Sequence, residues 1–260
     1  MSPRSLAKKN LFLFDLDGVF YKGKESREVI GGREIIGRLR ALGKQIFVLT
    51  NNSTDTAETV GRRLREFSIG IETKEILTSG LLTADYLRTK HGKVSYFLVG
   101  EPGLEKELSN FGHLRKQEGP VDFVVVGLDR VVTYQKLDTA ARLVREGAGL
   151  VATHASKLYM YKTGPAMATG PLVKAIEYAS GRRALVIGKP SPRMFRMALQ
   201  KAGCEKAEAV MVGDQVDTDI LGAFRAGVDA VLVTSGVDKS AGDYPVVATV
   251  SNVDALARFV

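Results

Sequence analysis

The sequence predicts an α/β protein: a Rossmann-like core with a parallel sheet, built from both ends of the chain, with a smaller α/β unit inserted between them. Three observations predict it. Short continuous apolar runs such as Leu11-Phe12-Leu13-Phe14 and Ile46-Phe47-Val48-Leu49 suit strands buried on both faces of a parallel sheet. Segments with helical apolar spacing alternate with those runs over short connections, as right-handed crossovers require. The alternation is regular at both ends of the chain and loosens in the middle.

The elements follow in order. A strand over 11–14 runs into Asp15-Leu16-Asp17-Gly18, and 21–32 reads as a polar loop with Gly23, Gly31 and Gly32. Ile35, Ile36, Leu39 and Leu42 fall at helical spacing, and Gly43 stops that helix. A strand over 45–49 ends at Thr50-Asn51-Asn52-Ser53-Thr54, and 55–67 reads as a helix. The middle offers helices over 81–90, 101–110, 137–146 and 172–179, and strands over 94–99, 123–126 and 150–153. Pro102 opens the second of those helices and Thr133 is a plausible cap for the third. The stretch 157–170, rich in Gly, Thr, Tyr and Lys, reads as a loop. The opening rhythm then resumes: strands over 184–187, 209–212, 231–233 and 246–247, and helices over 192–201, 218–226 and 252–259. The expected domains are a core of 1–88 with 184–260, and an insert of 89–183.

Bulk properties exclude several classes. The chain has 260 residues, 45% hydrophobic and 25% charged, which describes a globular domain of ordinary composition. No apolar run approaches the ~20 residues of a membrane helix. The basic, polar N-terminus lacks the apolar core of a secretory signal, and the single Cys204 cannot form an internal disulfide, so a cytoplasmic protein is expected. The net charge of +8 favours anionic partners. The basic residues are scattered and there is no Trp, which points to small phosphorylated molecules rather than nucleic acid.

Polar chemistry concentrates where strands end. Asp15 and Asp17 face the same side of an extended segment. Thr50, Asn51 and Asn52 follow the second strand, Lys189 follows the strand over 184–187, and Asp214, Asp217 and Asp219 follow the strand over 209–212. In one parallel sheet these ends share an edge, where open α/β sheets place their ligands. Singly, each has a plainer reading as a turn, a cap or a solvated lysine. Jointly, several acids need a cation, and hard carboxylate oxygens suit Mg²⁺. A metal, a lysine and a hydroxyl make an anion site; a carboxylate there can attack phosphorus and a second can move protons. His91, His113 and His154 lack metal-ligand spacing and read as surface or satisfied residues.

Four segments carry a resemblance. Asp15-Leu16-Asp17-Gly18-Val19, Leu49-Thr50-Asn51-Asn52-Ser53, Gly188-Lys189-Pro190-Ser191-Pro192, and Gly213-Asp214 through Thr218-Asp219-Ile220 resemble, in order, the motifs of haloacid dehalogenase (HAD)-like phosphatases. The Thr-Asn-Asn-Ser form and the insert resemble the NagD-like branch, which includes 4-nitrophenylphosphatases and pyridoxal phosphate and phosphoglycolate phosphatases. The resemblance implies a HAD core with a cap domain that selects the substrate. It implies Asp15 as nucleophile, Asp17 as general acid/base, and Thr50, Asn51 and Asn52 around the phosphoryl oxygens. Lys189 would neutralise phosphate and nucleophile. Mg²⁺ would be held by the Asp15 and Asp214 carboxylates and the Asp17 carbonyl, with Asp219 in support and Asp217 less suited. Two acids in the first motif argue against a dehalogenase. The chain departs from the family at Thr153-His154-Ala155-Ser156, where Thr-Asn-Pro-Asp is common, and at Met167-Ala168-Thr169-Gly170. Tyr159, Tyr161 and Lys162 fall in the expected specificity loop. The implied function is hydrolysis of small phosphomonoesters through an aspartyl-phosphate, with a homodimer through the cap left open. The alternatives are a phosphotransferase or phosphomutase on the same scaffold, and a non-catalytic phospho-Asp receiver.

Overall fold

Leu11–Phe14 (β1) is fully buried, and its backbone pairs in parallel on both sides. The structure, a computed structural model, describes residues 3–23, 26–161 and 164–260. The further strands are β2 (Gln45–Thr50), β3 (Ile76–Thr78), β4 (Ser95–Val99), β5 (Leu114–Arg115), β6 (Phe123–Val126) and β7 (Gly149–Ala152). They continue as β8 (Leu158–Tyr161), β9 (Gly164–Met167), β10 (Leu185–Val186), β11 (Ala209–Gly213), β12 (Asp229–Val233) and β13 (Ala248–Val250). The helices are α1 (Arg33–Ala41), α2 (Ala57–Glu66), α3 (Ser79–His91) and α4 (Pro102–Asn110), then α5 (Tyr134–Arg145), α6 (Thr169–Ser180), α7 (Pro192–Ala202) and α8 (Leu221–Ala226). Among the described residues no helix is long and apolar enough to cross a membrane.

The chain divides into two compact units. One comprises 1–50, 57–77 and 189–260; the other comprises 51–56 and 78–188. The insert therefore begins before α3, not at 89, because α3 packs against α4 of its own unit. It also ends later than 183, at Gly188, and takes in Asn51–Thr56.

The first unit holds a six-stranded sheet in the order β13-β12-β11-β1-β2-β3. The chain moves outward from β1 through β2 to β3, then returns to β11 on the other side. The β1–β11 boundary is thus the switch point where open α/β sheets form a ligand crevice. The second unit holds a parallel sheet in the order β10-β7-β6-β4-β5 over a core that includes Phe97, Val126, Leu143 and Ile176.

Several expectations change. The segment after 183 forms β10, a two-residue edge strand of the second sheet paired with β7, and does not belong to the core sheet. The stretch 157–170 is not a loop but the antiparallel hairpin β8–β9, running into α6. Hairpin pairing is set by cross-strand partners that local composition does not reveal. The last strand is β13 rather than 246–247. Leu42 lies just past α1 and is exposed, whereas Ile35, Ile36 and Leu39 are buried as the spacing predicts.

The N-terminus of α1 is satisfied from far along the chain. Asp254 accepts from the Gly32 N–H (Oδ1 3.1 Å, Oδ2 3.0 Å) and the Ile35 N–H (3.1 Å). A carboxylate there caps orphan donors and complements the helix dipole. Asp254→Ala should lower stability by about 1 kcal/mol with unchanged turnover; urea denaturation measures it, and a neutral effect would show water to be an equal cap.

Candidate active site

The site is built on Lys189. The residue is 1% exposed; its ammonium donates to Asp15 Oδ1 at 2.6 Å and the Leu49 carbonyl at 2.8 Å, and forms an ion pair with Asp219 Oδ1 at 2.7 Å. Burial alone would lower this ammonium, but the charges of Asp15 and Asp219 and their hydrogen bonds outweigh it and hold it above its ordinary value.

Asp15 ends β1, and its N–H donates to the Val212 carbonyl of β11 (2.9 Å), which extends the ladder to the carboxylate. Asp214 follows β11 directly. Carboxylate oxygens of Asp15, Asp214 and Asp219 lie within 4.8 Å of one another, and all three residues are buried. Three carboxylates against one ammonium leave an excess of negative charge. Burial, reinforced by the charges of Asp15 and Asp219, pushes the Asp214 carboxyl up to about 8. Burial and the charge of Asp15 push Asp219 up to about 6, against the pull of Lys189 and the Gln215 N–H.

Asp219 sits on a single π-helical turn, Val216–Ile220, and is fully buried. Its Oδ2 accepts from the N–H groups of Asp214 (3.2 Å) and Gln215 (3.1 Å), so it fixes the backbone that carries Asp214 as well as the lysine. Such π turns recur at functional sites. Asp214 Oδ2 accepts from the Val237 N–H at 2.8 Å, whereas Asp214 Oδ1 is buried without a hydrogen-bond partner among the described residues. A buried carboxylate oxygen left in this way, within reach of two other carboxylates, fits a hard divalent cation.

Other predicted residues divide. Thr50 is buried at the end of β2, and Asp17 is half-buried two residues beyond Asp15. Asp217 is exposed and stands apart from the cluster. Asn51 belongs to the second unit, where its amide donates to Ser156 Oγ at 3.3 Å. Asn52 holds its own turn: its Oδ1 accepts from the N–H groups of Thr54 (2.9 Å) and Asp55 (3.0 Å) and from Thr54 Oγ1 (3.1 Å), and its Nδ2 donates to Asp55 Oδ2 (3.0 Å). His113 and His154 are buried and hydrogen-bonded, and His91 is exposed. Lys162 lies outside the described residues, while Tyr159 and Tyr161 lie on β8.

The sequence reading missed the segment after β12. Gly236 and Gly18 each pass so close to the Asp214 carboxylate that a Cβ would collide with it, and Ser235 donates to the Gly18 carbonyl at 2.8 Å. Asp238 accepts from the Val216 N–H at 2.6 Å and so ties this segment to the π turn. The Ser235-Gly236-Val237 run after an apolar strand was the available signal, since a close backbone approach needs glycine.

A buried carboxylate–lysine pair with two further buried carboxylates beside it thus lies at the sheet's switch point, where open α/β sheets bind ligands. Comparison with known proteins agrees. A family model for haloacid dehalogenase-like hydrolases matches residues 12–113, and a HAD-hydrolase-like model matches residues 186–255. An acid sugar phosphatase from Staphylococcus aureus is 37% identical over 226 residues, 87% of this chain and 86% of that protein. A 4-nitrophenylphosphatase from Thermotoga maritima superposes with a TM-score of 0.91 at 32% identity, covering 98% of each chain. A protein described as a putative nagD protein superposes with a TM-score of 0.88 at 32% identity, covering 96% of this chain and 97% of that one. The chain belongs to the haloacid dehalogenase-like hydrolases, in their branch of NagD-type and 4-nitrophenylphosphatase-type phosphoric monoester hydrolases.

The raised carboxyls set a pH dependence. A carboxyl held above its ordinary value favours the folded chain while protonated: that contribution is full below the unfolded value of about 4 and fades as pH rises through about 8 for Asp214. A divalent cation must displace the proton. A divalent cation at one fixed concentration, about 100 times its Kd at pH 8, should therefore add about 2.7 kcal/mol, roughly 5–10 °C in Tm, near pH 8, and much less near pH 5. Calorimetry with and without the ion measures this; equal shifts at both pH values would remove the cluster from cation binding.

Proposed function

We propose that this chain hydrolyses small phosphorylated metabolites as a Mg²⁺-dependent phosphatase, with Asp15 as the nucleophile and an aspartyl-phosphate as the intermediate. The observation that carries the proposal is the Lys189–Asp15 contact of 2.6 Å inside a cluster of buried carboxylates. The ammonium keeps one Asp15 oxygen engaged and leaves the other to attack phosphorus.

Asp15 and Asp214 would hold Mg²⁺ through their carboxylates, and Asp17 through its carbonyl. When bound, the ion supplies positive charge that draws the phosphoryl oxygens and relieves repulsion among the acids. Asp17 keeps its carboxyl for protons: it protonates the leaving oxygen and then takes a proton from the water that opens the aspartyl-phosphate. The Thr50 hydroxyl and the Asn51 amide donate to the phosphoryl oxygens. Lys189 offsets charge on Asp15 through both steps, and Asp219 holds Lys189 where it is. Phosphoryl transfer needs positioning and charge neutralisation above all, and these residues supply both.

Substrate choice is assigned to the second unit, which carries the departures at His154, Ala155 and Ser156. Sugar phosphates and aryl phosphates are the first substrates to try, since the similar proteins are named for them.

The two acids separate cleanly in one experiment. 4-Nitrophenolate leaves without a proton, so Asp17→Asn should still be phosphorylated but should hydrolyse the intermediate about 10²–10⁴-fold more slowly. The expected outcome is a burst of one nitrophenolate per chain, with one phosphoryl group on Asp15 by mass spectrometry. Asp15→Asn should show neither burst nor turnover while its circular dichroism is unchanged. Turnover by folded Asp15→Asn would end the mechanism.

A further inference from the structure

We propose that Asp238, with Ser235 beside it, is a positioning residue for the cation ligand Asp214, and that the segment carrying them restricts Asp214 to one ligating oxygen. The inference rests on the reading of Asp15, Asp214 and Asp219 as a cation site, and every residue it uses belongs to the first unit.

The segment follows β12. Its start is tied to β13, where the Thr234 N–H donates to the Val250 carbonyl at 2.9 Å. Lys239 closes it into a compact turn by donating to the carbonyls of Thr234 and Gly236, both at 2.7 Å. Ser235 donates to the Gly18 carbonyl at 2.8 Å, which anchors the turn to the residue just after Asp17. Gly236 adds no side chain, and a Cβ there would lie 1.9 Å from Asp214 Oδ2. The Val237 N–H donates to that same Oδ2 at 2.8 Å.

Asp238 grips the backbone on either side of the ligand. Its N–H donates to the Asp214 carbonyl at 3.0 Å, and its Oδ2 accepts from the Val216 N–H at 2.6 Å. One side chain and one amide thus span the stretch 214–216, where the π turn begins. Asp238 therefore fixes two things at once: the backbone that carries Asp214, and the neighbouring Val237 N–H that engages its carboxylate.

The chemical consequence lies in the two oxygens of Asp214. Oδ2 is committed to the Val237 N–H, under the close backbone of Gly236. Oδ1 is the oxygen buried without a hydrogen-bond partner among the described residues. A carboxylate held in this way offers a cation one oxygen. Lys189 engages Oδ1 of Asp15 in the same manner. One oxygen per carboxylate suits the small octahedral shell of Mg²⁺, whereas Ca²⁺ takes more oxygens, often two from one carboxylate. Asp238 then acts on cation choice through Asp214, as partners behind a metal ligand do.

The test is calorimetric titration of the whole chain, without substrate and at one pH, with MgCl₂ and with CaCl₂. The chains compared are wild type, Asp238→Ala, Asp238→Asn and Ser235→Ala. Asp238→Ala should raise the Mg²⁺ Kd about 10-fold. It should raise the Ca²⁺ Kd by about 3-fold or less, because an Oδ2 released from Val237 can serve the larger ion. Asp238→Asn lacks the charge but keeps an acceptor for the Val216 N–H, and should bring both Kd values to within about twofold of wild type. Ser235→Ala should raise the Mg²⁺ Kd about 3-fold, less than Asp238→Ala because Asp238 still holds its backbone. Should Asp238→Ala fail to fold, the test passes to Ser235→Ala, whose unchanged Mg²⁺ Kd would overturn the inference. An unchanged Mg²⁺ Kd in folded Asp238→Ala, equal losses for both ions, or an Asp238→Asn chain that behaves like Asp238→Ala would overturn it too, and each leaves the cation site standing. If wild type binds neither ion saturably, the reading of the carboxylates as a cation site falls, and the inference with it.

Discussion

Lys189 carries a positive charge where the protein has removed water, and the placement of its neighbours follows from that. An ammonium taken out of water is tolerated only with its charge opposed and its protons accepted. Asp15 and Asp219 supply the opposing charge and Leu49 a further acceptor. Removing either carboxylate would leave a buried charge undercompensated, a change that costs about 3–5 kcal/mol in buried pairs generally. The lysine therefore fixes the distance between the end of β1 and the π turn after β11, two segments about two hundred residues apart in the chain.

The acids at this edge are one residue type with different work, and their surroundings set them apart. Asp219 is fully buried and its oxygens are committed to the lysine and to two backbone N–H groups. Asp214 has one oxygen on the Val237 N–H, close to the backbones of Gly18 and Gly236, and one without a hydrogen-bond partner among the described residues. Asp217, on the same turn, is exposed. Spacing explains the contrast: two residues apart on a helical turn face nearly opposite sides, so Asp219 is buried while Asp217 is exposed.

What the sequence made legible was whatever has a local cause. Buried strands read as unbroken apolar runs, and the acids at their ends read as a site because a sheet's carboxyl edge gathers them. The helix over Ile35, Ile36 and Leu39 read correctly for the same reason, since spacing alone decides which face is buried. Non-local causes stayed hidden. Nothing near Gly32 announces that Asp254 caps α1. Leu185-Val186 has the composition of a core strand, yet its partner is β7, so Lys189 enters the core site directly after the chain leaves the other sheet. Leu158–Tyr161 and Gly164–Met167 pair with each other and lack the alternation of a half-buried strand, so they passed for loop. The turn that Asn52 closes onto Thr54 and Asp55 was hidden too, since beside Thr50 and Asn51 its amide reads as one more polar group at a strand end.

Charge accounting bears on what the core site can bind. Asp15, Asp214 and Asp219 against Lys189 leave two negative charges, which one divalent cation would cancel. A phosphoryl dianion then arrives at a neutral site. Its charge must be met by dipoles rather than by further net charge. Dipoles differ from charges in that their strength depends on direction, and a hydrogen bond weakens steeply when the donor turns away. Thr50, buried at the end of β2, is fixed by its strand before any anion binds. Preorganised dipoles of this kind need no reorganisation as charge moves onto the phosphoryl oxygens.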